Sequence, residues 1–454
     1  MALRDLLHNL PEVTSPTEKK LSFNVKLKWT LIVLIAFFVM SSIALYGLAN
    51  NAMERFEYLA VIMGTSFGSI ISLGIGPIVM ASIILQLLVG SKILDIDTST
   101  QEGKKFFQGL QKLMVFFFII FEALIYVLMK GLEALPGYTW LVVLQLILGG
   151  LAILFMDELS TKWGFGSGVS LFIAAGVGWR LFTAAFQFLG PEGNFQASGK
   201  VFAFIVSLMN ADSQGAMLSL AAILATIVLF LLVVWAQSLK IEIPLSYDRI
   251  RGYSMKWPLK FFYASVIPVI LTAALIANLQ LFGGLLQNWL GHPTFLGNIQ
   301  QGQAVSGFLY WVGSTNIVNA IITGSWQWKL LGQAIGHIIF FMFFAALFSV
   351  FWIKTSGMDA SNQAQNILKS GLQIPGFRKD ERILESVLKR YVLPLTIMGG
   401  MAIGLLAAIA DLLGTLVAGT ALLLGIMIIF QFYESIAKQH AMDMNPAMKN
   451  FFGG

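Results

Sequence analysis

The sequence predicts an all-α membrane protein with ten transmembrane helices, five in each half of the chain. Three observations predict it. Of its 454 residues 57% are hydrophobic and only 11% charged, with a mean hydropathy of +0.79; a soluble domain of this length carries about 25% charged residues. Ten apolar segments each approach the roughly 20 residues that a bilayer crossing requires. The basic residues fall unevenly between alternate loops, as the positive-inside rule demands.

Residues 1–28 are polar and hold Arg4, Lys19, Lys20, Lys26 and Lys28. No short apolar core follows a basic start there, so they read as a cytosolic N-terminal segment rather than a cleavable signal. The spans are read at 29–49, 74–90, 113–130, 138–156, 167–189, 217–238, 259–282, 331–353, 391–411 and 414–436. The second is short. It follows a loosened stretch, "GTSFGSIISLG" from Gly64 to Gly74, rich in glycine and serine. The last two form a tight hairpin through Asp411–Gly414.

With the N-terminus in the cytosol, 24 of the 29 Lys and Arg residues fall on the cytosolic side and five on the other, counting outer helix ends. Both termini are then cytosolic. An odd number of spans per half inverts one half relative to the other, an arrangement that places the working site between them. The halves are 29–189 and 217–436, joined by an external hinge region, 190–216. The second half carries two long cytosolic loops, 239–260 and 354–390, and a cytosolic tail follows at 437–454.

Catalytic chemistry is missing. "GTSFG" (Gly64–Gly68) matches a nucleophile elbow, but there is no β-rich sequence and the four histidines are scattered. There is no phosphate-binding G-x-x-x-x-G-K-[ST] motif, no metal-ligand spacing and no cysteine. No cofactor and no enzyme activity are expected. Charge inside the spans is scarce: Glu122 lies midway along the third, and Asn278 and Gln280 lie in the outer half of the seventh. A lone carboxylate there is either a hydrogen-bonded packing residue or a functional group.

Five stretches carry a family resemblance: "LGIGPIVMASIILQLLVGS" (73–91), "GFGSGVSLFIAAGV" (164–177), "IEIPLSYDRIRG" (241–252), "FFYASVIPVILTAALIANLQL" (261–281) and "PGFRKDERILESVLKRY" (375–391). In order and over nearly the whole chain, the sequence resembles SecY of the archaeal type, the channel subunit of the protein-conducting translocon. The resemblance implies two inverted five-helix halves around a central pore. It implies a plug at about 56–69 that re-enters from the outside, consistent with the loosened stretch before a short helix.

It further implies a pore ring at Ile75, Val79, Val169, Ile173, Ile270 and Leu424, an apolar collar that gates by excluding water. A lateral gate would lie between the second and third helices and the seventh and eighth. Its polar cluster would match Glu122 and Asn278, with Met80 departing from the usual hydroxyl residue. The cytosolic loops would dock the ribosome through Arg249, Arg251, Arg378 and Lys379, basic groups suited to phosphate-rich RNA. Arg382 adds to that charge, and Lys162, on a short loop, is the reference basic residue. The implied partners are SecE and a small beta subunit, the ribosome, signal sequences, nascent polypeptides and membrane lipid. The implied site is the plasma membrane. The expected function is passage of unfolded polypeptide across the membrane and lateral release of transmembrane segments. The competing reading is a secondary transporter with a five-plus-five inverted repeat, which would need a polar site at the midplane.

Overall fold

The computed structural model describes residues 10–18, 21–48, 68–96, 100–129, 131–188, 197–247, 254–264, 266–300, 303–369, 372–373 and 380–444. Ten helices correspond one for one to the ten expected spans. They are α1 (Phe23–Ser42), α2 (Gly76–Gly90), α3 (Gln101–Leu128), α4 (Thr139–Trp163), α5 (Gly168–Phe186), and, after a short helix α6 (Lys200–Met209), α7 (Ser213–Gln237). A hairpin, β1 (Lys240–Tyr247) and β2 (Ser254–Lys260), leads to α8 (Ile267–Leu290). Then come a second hairpin, β3 (Asn298–Gln300) and β4 (Gln303–Ser306), and two short helices, α9 (Phe308–Val312) and α10 (Ile317–Ile322). The chain closes with α11 (Trp328–Thr355), α12 (Ala360–Lys369), β5 (Leu372–Gln373), α13 (Glu381–Leu412) and α14 (Gly419–Met444). Nine of these are long and apolar enough to cross a membrane; α2 is the shorter tenth.

Two boundaries differ from expectation for physical reasons. The first helix begins and ends several residues before 29–49. Its basic start continues as helix: Lys26 N–H donates to the Ser22 carbonyl at 3.2 Å, and Lys26 Nζ donates to Gln439 Oε1 of α14 at 3.2 Å. It stops at Ser42, where the Ser41 and Ser42 hydroxyls turn back onto the Phe38 carbonyl. The chain then runs extended: Leu45 N–H donates to the Gly68 carbonyl at 2.8 Å, and Ala44 bridges Ser69. The seventh span starts at Ile267, not 259, because Pro268 suits only a first helical turn. It ends at Leu290, where Gly291 at φ +74° makes a left-handed cap.

The absence of β-rich sequence was also too simple. β1 pairs antiparallel with β2 and, on its other edge, with β5, through Ser246↔Gln373 and Tyr247↔Leu372. Alternation in "KIEIPLSY" carries this strand. The expected hinge region contains α6, a surface helix without a buried side chain among the described residues.

The halves meet along two seams. On one, α2 packs against α8 and α11; on the other, α14 packs against α5 and α1. One continuous apolar cluster runs through both halves, from Val33 and Ile75 to Phe341 and Leu424. Glycines set the closest approaches. A Cβ at Gly425 of α14 would stand 2.8 Å from Val177 Cγ1 of α5, and one at Gly400 of α13 2.5 Å from Ser349 Oγ of α11.

Candidate functional site: the centre of the bundle and its basic side

The second span enters the core abruptly. Gly74 takes φ +54°, Ile75 stands at the N-cap of α2, and Pro77 opens the helix. Ile75 and Val79, four residues apart, therefore share one face. Both are buried. On α5, Val169 and Ile173 repeat the spacing; Ile173 is buried and Val169 is partly buried against the same cluster. Asp157 of α4 fixes the start of α5 by accepting from Val169 N–H at 2.9 Å and the Ser167 hydroxyl at 3.2 Å. Ile270 of α8 and Leu424 of α14 are buried in that cluster as well. All six residues implied as a collar, carried by four helices from both halves, thus lie in or against the one apolar cluster.

The polar residues of the α2–α3–α8 region have few partners. Glu122 of α3 is fully buried, and neither carboxyl oxygen has a hydrogen-bond partner among the described residues. Asn278 of α8 is buried; its amide donates to the Ala274 carbonyl at 2.9 Å, while its Oδ1 has no partner among the described residues. Met80 of α2 is partly buried against the apolar cluster and offers only a thioether. The hydrogen-bonded packing alternative for Glu122 therefore has no support among these residues. Sequence reasoning also passed over Gln86. It is buried on α2 with its Oε1 unpartnered among the described residues, and its signal was a lone amide in an otherwise apolar helix. Further along α2, Gly90 receives the Phe351 ring of α11.

Opposite this, on the far side, lies a cavity of about 530 Å³ between α9, α11 and the α13–α14 turn. Asp411 beside it accepts from Thr420 N–H at 2.6 Å and lies 3.2 Å from His337 Nε2, while His337 Nδ1 meets the Val312 carbonyl at 2.7 Å. Gln280 lines this cavity. The network ties α9, α11, α13 and α14 into one rim.

The basic side is organised by the sheet. The hairpin β1–β2 and strand β5 join the two long loops, and a second apolar core beneath them holds Ile243, Leu259, Ile353, Ile367, Leu384 and Leu388. Tyr263 anchors it: its hydroxyl donates to the Met358 carbonyl at 2.8 Å. Burial, and secondarily the Asp359 carboxylate, push this phenol up to about 12. Lys260 pairs with Glu434 of α14. Arg249 and Arg251 fall in the β1–β2 connection, and Arg378 and Lys379 just before α13; all four lie outside the described residues, as do residues 56–67 of the expected plug. Arg382 is exposed in the first turn of α13.

Lys162 does not lie on a free loop. It is inside α4, where it pairs with Glu12 at 3.2 Å and donates to the Val13 carbonyl at 2.5 Å. Val13 N–H donates to Glu158, and Trp163 Nε1 to the Thr14 carbonyl. The helix is two turns longer than its apolar run, so its basic end reaches the N-terminal segment.

The SecY family profile matches residues 69–433. The chain is 43% identical over 450 residues to the protein translocase subunit SecY of Methanothermobacter thermautotrophicus, covering 98% of this chain and 97% of that one. It is 39% identical over 446 residues to SecY of Methanocaldococcus jannaschii, covering 98% and 97%. Among solved structures it superposes on one described as a protein conducting channel, with a TM-score of 0.83 at 38% identity over 97% of this chain and 98% of the other. It also superposes on Sec61 from a canine ribosome-channel complex of the endoplasmic reticulum, with a TM-score of 0.80 at 37% identity and the same coverage. Full-length likeness in sequence, together with the same ten-helix arrangement, places this chain in the SecY family.

Proposed function

We propose that the chain is the channel subunit of a protein translocon, passing unfolded polypeptide between its two halves and releasing apolar segments sideways into lipid. The observation that carries this reading is the apolar centre shared by the two halves. The six aliphatic residues implied as a collar, on four helices, all lie in or against one apolar cluster that bridges the halves. Branched aliphatic side chains close a pore by dewetting and yield to any passing side chain, having no fixed partner to lose. A small-solute transporter needs a polar binding site at that depth instead.

In this reading Glu122, Asn278 and Met80, joined by Gln86, line the exit seam. Buried polar groups without full hydrogen bonding weaken a closed interface, because an unmade bond costs about 1–3 kcal/mol. The seam is therefore held shut mainly by apolar packing, which an apolar signal segment can replace. The basic side faces the cytosol of the plasma membrane, with both termini on it, since it carries the excess of Lys and Arg. Its loops, with Arg249, Arg251, Arg378 and Lys379, meet the ribosome. SecE and a small beta subunit complete the complex. In this reading the plug, about 56–69, shares with the collar the task of sealing the resting channel.

The test is reconstitution with the small subunits into planar bilayers and proteoliposomes. Replacing Ile75, Val79 and Ile173 together by Gly should make the resting channel leak ions, while signal-bearing polypeptide still enters. A conductance equal to the parent's would remove these residues from the seal. Uptake of small solutes without uptake of polypeptide would favour the transporter.

A further inference from the structure

The connection from α8 to α11 is without formal charge. Between Lys260 and Lys329 the sequence holds no Asp, Glu, Lys or Arg. A water-facing connection as long as 291–327 would have about a quarter of its residues charged. This one holds aromatic residues instead: Phe295, Phe308, Trp311 and Trp326 are exposed, as are Trp289 and Trp328 on the helix ends that flank it. Tryptophan gathers where a membrane meets water.

The short helix α9 lies deeper than a surface loop. Lys329 and Lys354 stand near the two ends of α11, about 37 Å apart along the helix. Charged groups stay outside the hydrocarbon layer, and a layer about 30 Å thick centred between these two begins near Gly332. Two buried polar residues of α11, Gln333 and His337, lie inside that edge. Both serve α9. Gln333 Nε2 donates to the Gly313 carbonyl at 3.3 Å, and His337 Nδ1 meets the Val312 carbonyl at 2.7 Å. At the start of α9, Leu309 N–H donates to the Leu296 carbonyl at 2.9 Å. The end groups of a helix have no partner within it. Water hydrates them at a surface; at membrane depth the protein must supply the partners, as it does here. Glycines permit the approach. A Cβ at Gly336 would stand 2.4 Å from the Trp311 carbonyl oxygen, and one at Gly332 2.9 Å from Cζ3 of the Trp311 ring.

The residues of α9 divide between two surroundings. Leu309 and Tyr310 line the cavity of about 530 Å³. Phe308 and Trp311, three apart and so on one face, are outside its lining and each 48% exposed. The Trp311 ring over Gly332 adjoins Leu331, the first of an exposed apolar stripe that continues along α11 through Ile335, Ile339 and Phe343. On a spanning helix such a stripe meets lipid. We infer that α9 is a membrane-seated wall, with Phe308 and Trp311 against phospholipid chains just below the headgroups and Leu309 and Tyr310 against the cavity. The ligand is the chain region of a phospholipid, whatever its headgroup, since the connection offers no charge to select one. A single short helix then keeps lipid chains out of the cavity beside the α8–α11 contact.

The test uses the chain reconstituted with its small subunits in phosphatidylcholine vesicles. The sequence has no cysteine, so Phe308→Cys, Tyr310→Cys and Trp311→Cys each carry one nitroxide label. Collisions with oxygen, which concentrates in lipid, are compared with collisions with a nickel chelate confined to water. The oxygen-to-nickel ratio should be severalfold higher at 308 and 311 than at 310. Ratios at 308 and 311 no higher than at 310 overturn the wall. Protection of 308 and 311 from both reagents overturns the lipid assignment and puts a protein on this face. Exchange of phosphatidylcholine for phosphatidylglycerol should leave the pattern unchanged; a pattern seen with one headgroup alone overturns the chain-region assignment. Where a label disturbs assembly, Trp311→Phe keeps a ring over Gly332. In vesicles with bromine on the chains close to the headgroup, it should shrink the quenched emission by the share of one of the 11 tryptophans. An unchanged quenched share overturns the placement of Trp311.

Discussion

Gly90 offers the sharpest handle on the exit seam. It ends α2 at the point where that helix crosses α11, and a Cβ added there would stand 2.6 Å from Cγ of Phe351. Ordinary carbon contacts settle at about 3.5–4.0 Å, so Gly90→Ala creates an overlap of about 1 Å. Turning the Phe351 ring about its own axis does not relieve this, because Cγ lies on that axis. Either Phe351 changes its first side-chain torsion or α2 and α11 separate. Overpacking of this kind typically costs about 1–3 kcal/mol. If the cost falls on the closed seam alone, the open population rises about 5- to 150-fold. The assay is transport of a polypeptide with a disabled signal sequence, which the parent should refuse and Gly90→Ala should accept. Phe351→Ala in the same chain should restore refusal, giving a coupling energy near the original penalty. The reasoning is refuted if Gly90→Ala lowers thermal stability without any gain in signal-independent transport. It is equally refuted if Phe351→Ala fails to reverse the effect.

Three further outcomes are expected. Glu122→Leu removes a buried carboxyl without a protein hydrogen bond among the described residues, so thermal stability should rise by about 1–3 kcal/mol while insertion of signal segments slows; a fall in stability would mean that water pairs the carboxyl in the closed state. The Tyr263 phenol is raised from 10.0 to about 12, so its folded form is the protonated one: its contribution is intact below pH 10 and declines as pH climbs toward 12. Tyr263→Phe should cost about 1 kcal/mol at neutral pH and flatten that alkaline decline, measured by protease nicking of the loop at 354–390. Arg378→Glu should weaken ribosome binding and reduce its log–log salt slope by about 0.7–0.9, the signature of one lost phosphate contact, whereas Lys105→Glu, at an exposed position on the same side, should do less; equal effects would reduce both to general surface charge.

The spans were readable because lipid leaves a chain few alternatives: each crossing needs a long apolar helix, and composition alone reveals it. Their ends were less readable. The start of α8 required weighing Pro268 above hydropathy, and the end of α1 depended on Gly68 and Ser69, partners more than twenty residues away. The collar residues are ordinary aliphatics, indistinguishable from packing residues until a family likeness singles them out. Glu122 was conspicuous as a residue, but its lack of partners is a property of α2, α3 and α8 together. Lys162 shows the reverse case. Its local setting looked unconstrained, yet a segment 150 residues earlier occupies it. Gln86 was visible and went unweighed, since a single amide in an apolar helix draws less notice than a charge.

The pairing of β1 with β5 has a consequence for biosynthesis. Ser246 waits for Gln373, and Ile243 waits for Leu384 and Leu388, so the basic-side unit closes only after more than 120 further residues have been made. At about 5–20 residues per second that interval is roughly 6–25 s. Until Gln373 is made, the spans α13 and α14 are still to come, and the β1–β2 hairpin stands with one strand edge bare, the condition in which strands recruit foreign partners. Completion of the loop sheet is thus a late event in the life of each chain. The basic-side unit built from both loops exists only once the chain has reached the first turns of α13, and a chain cut off before β5 cannot form it.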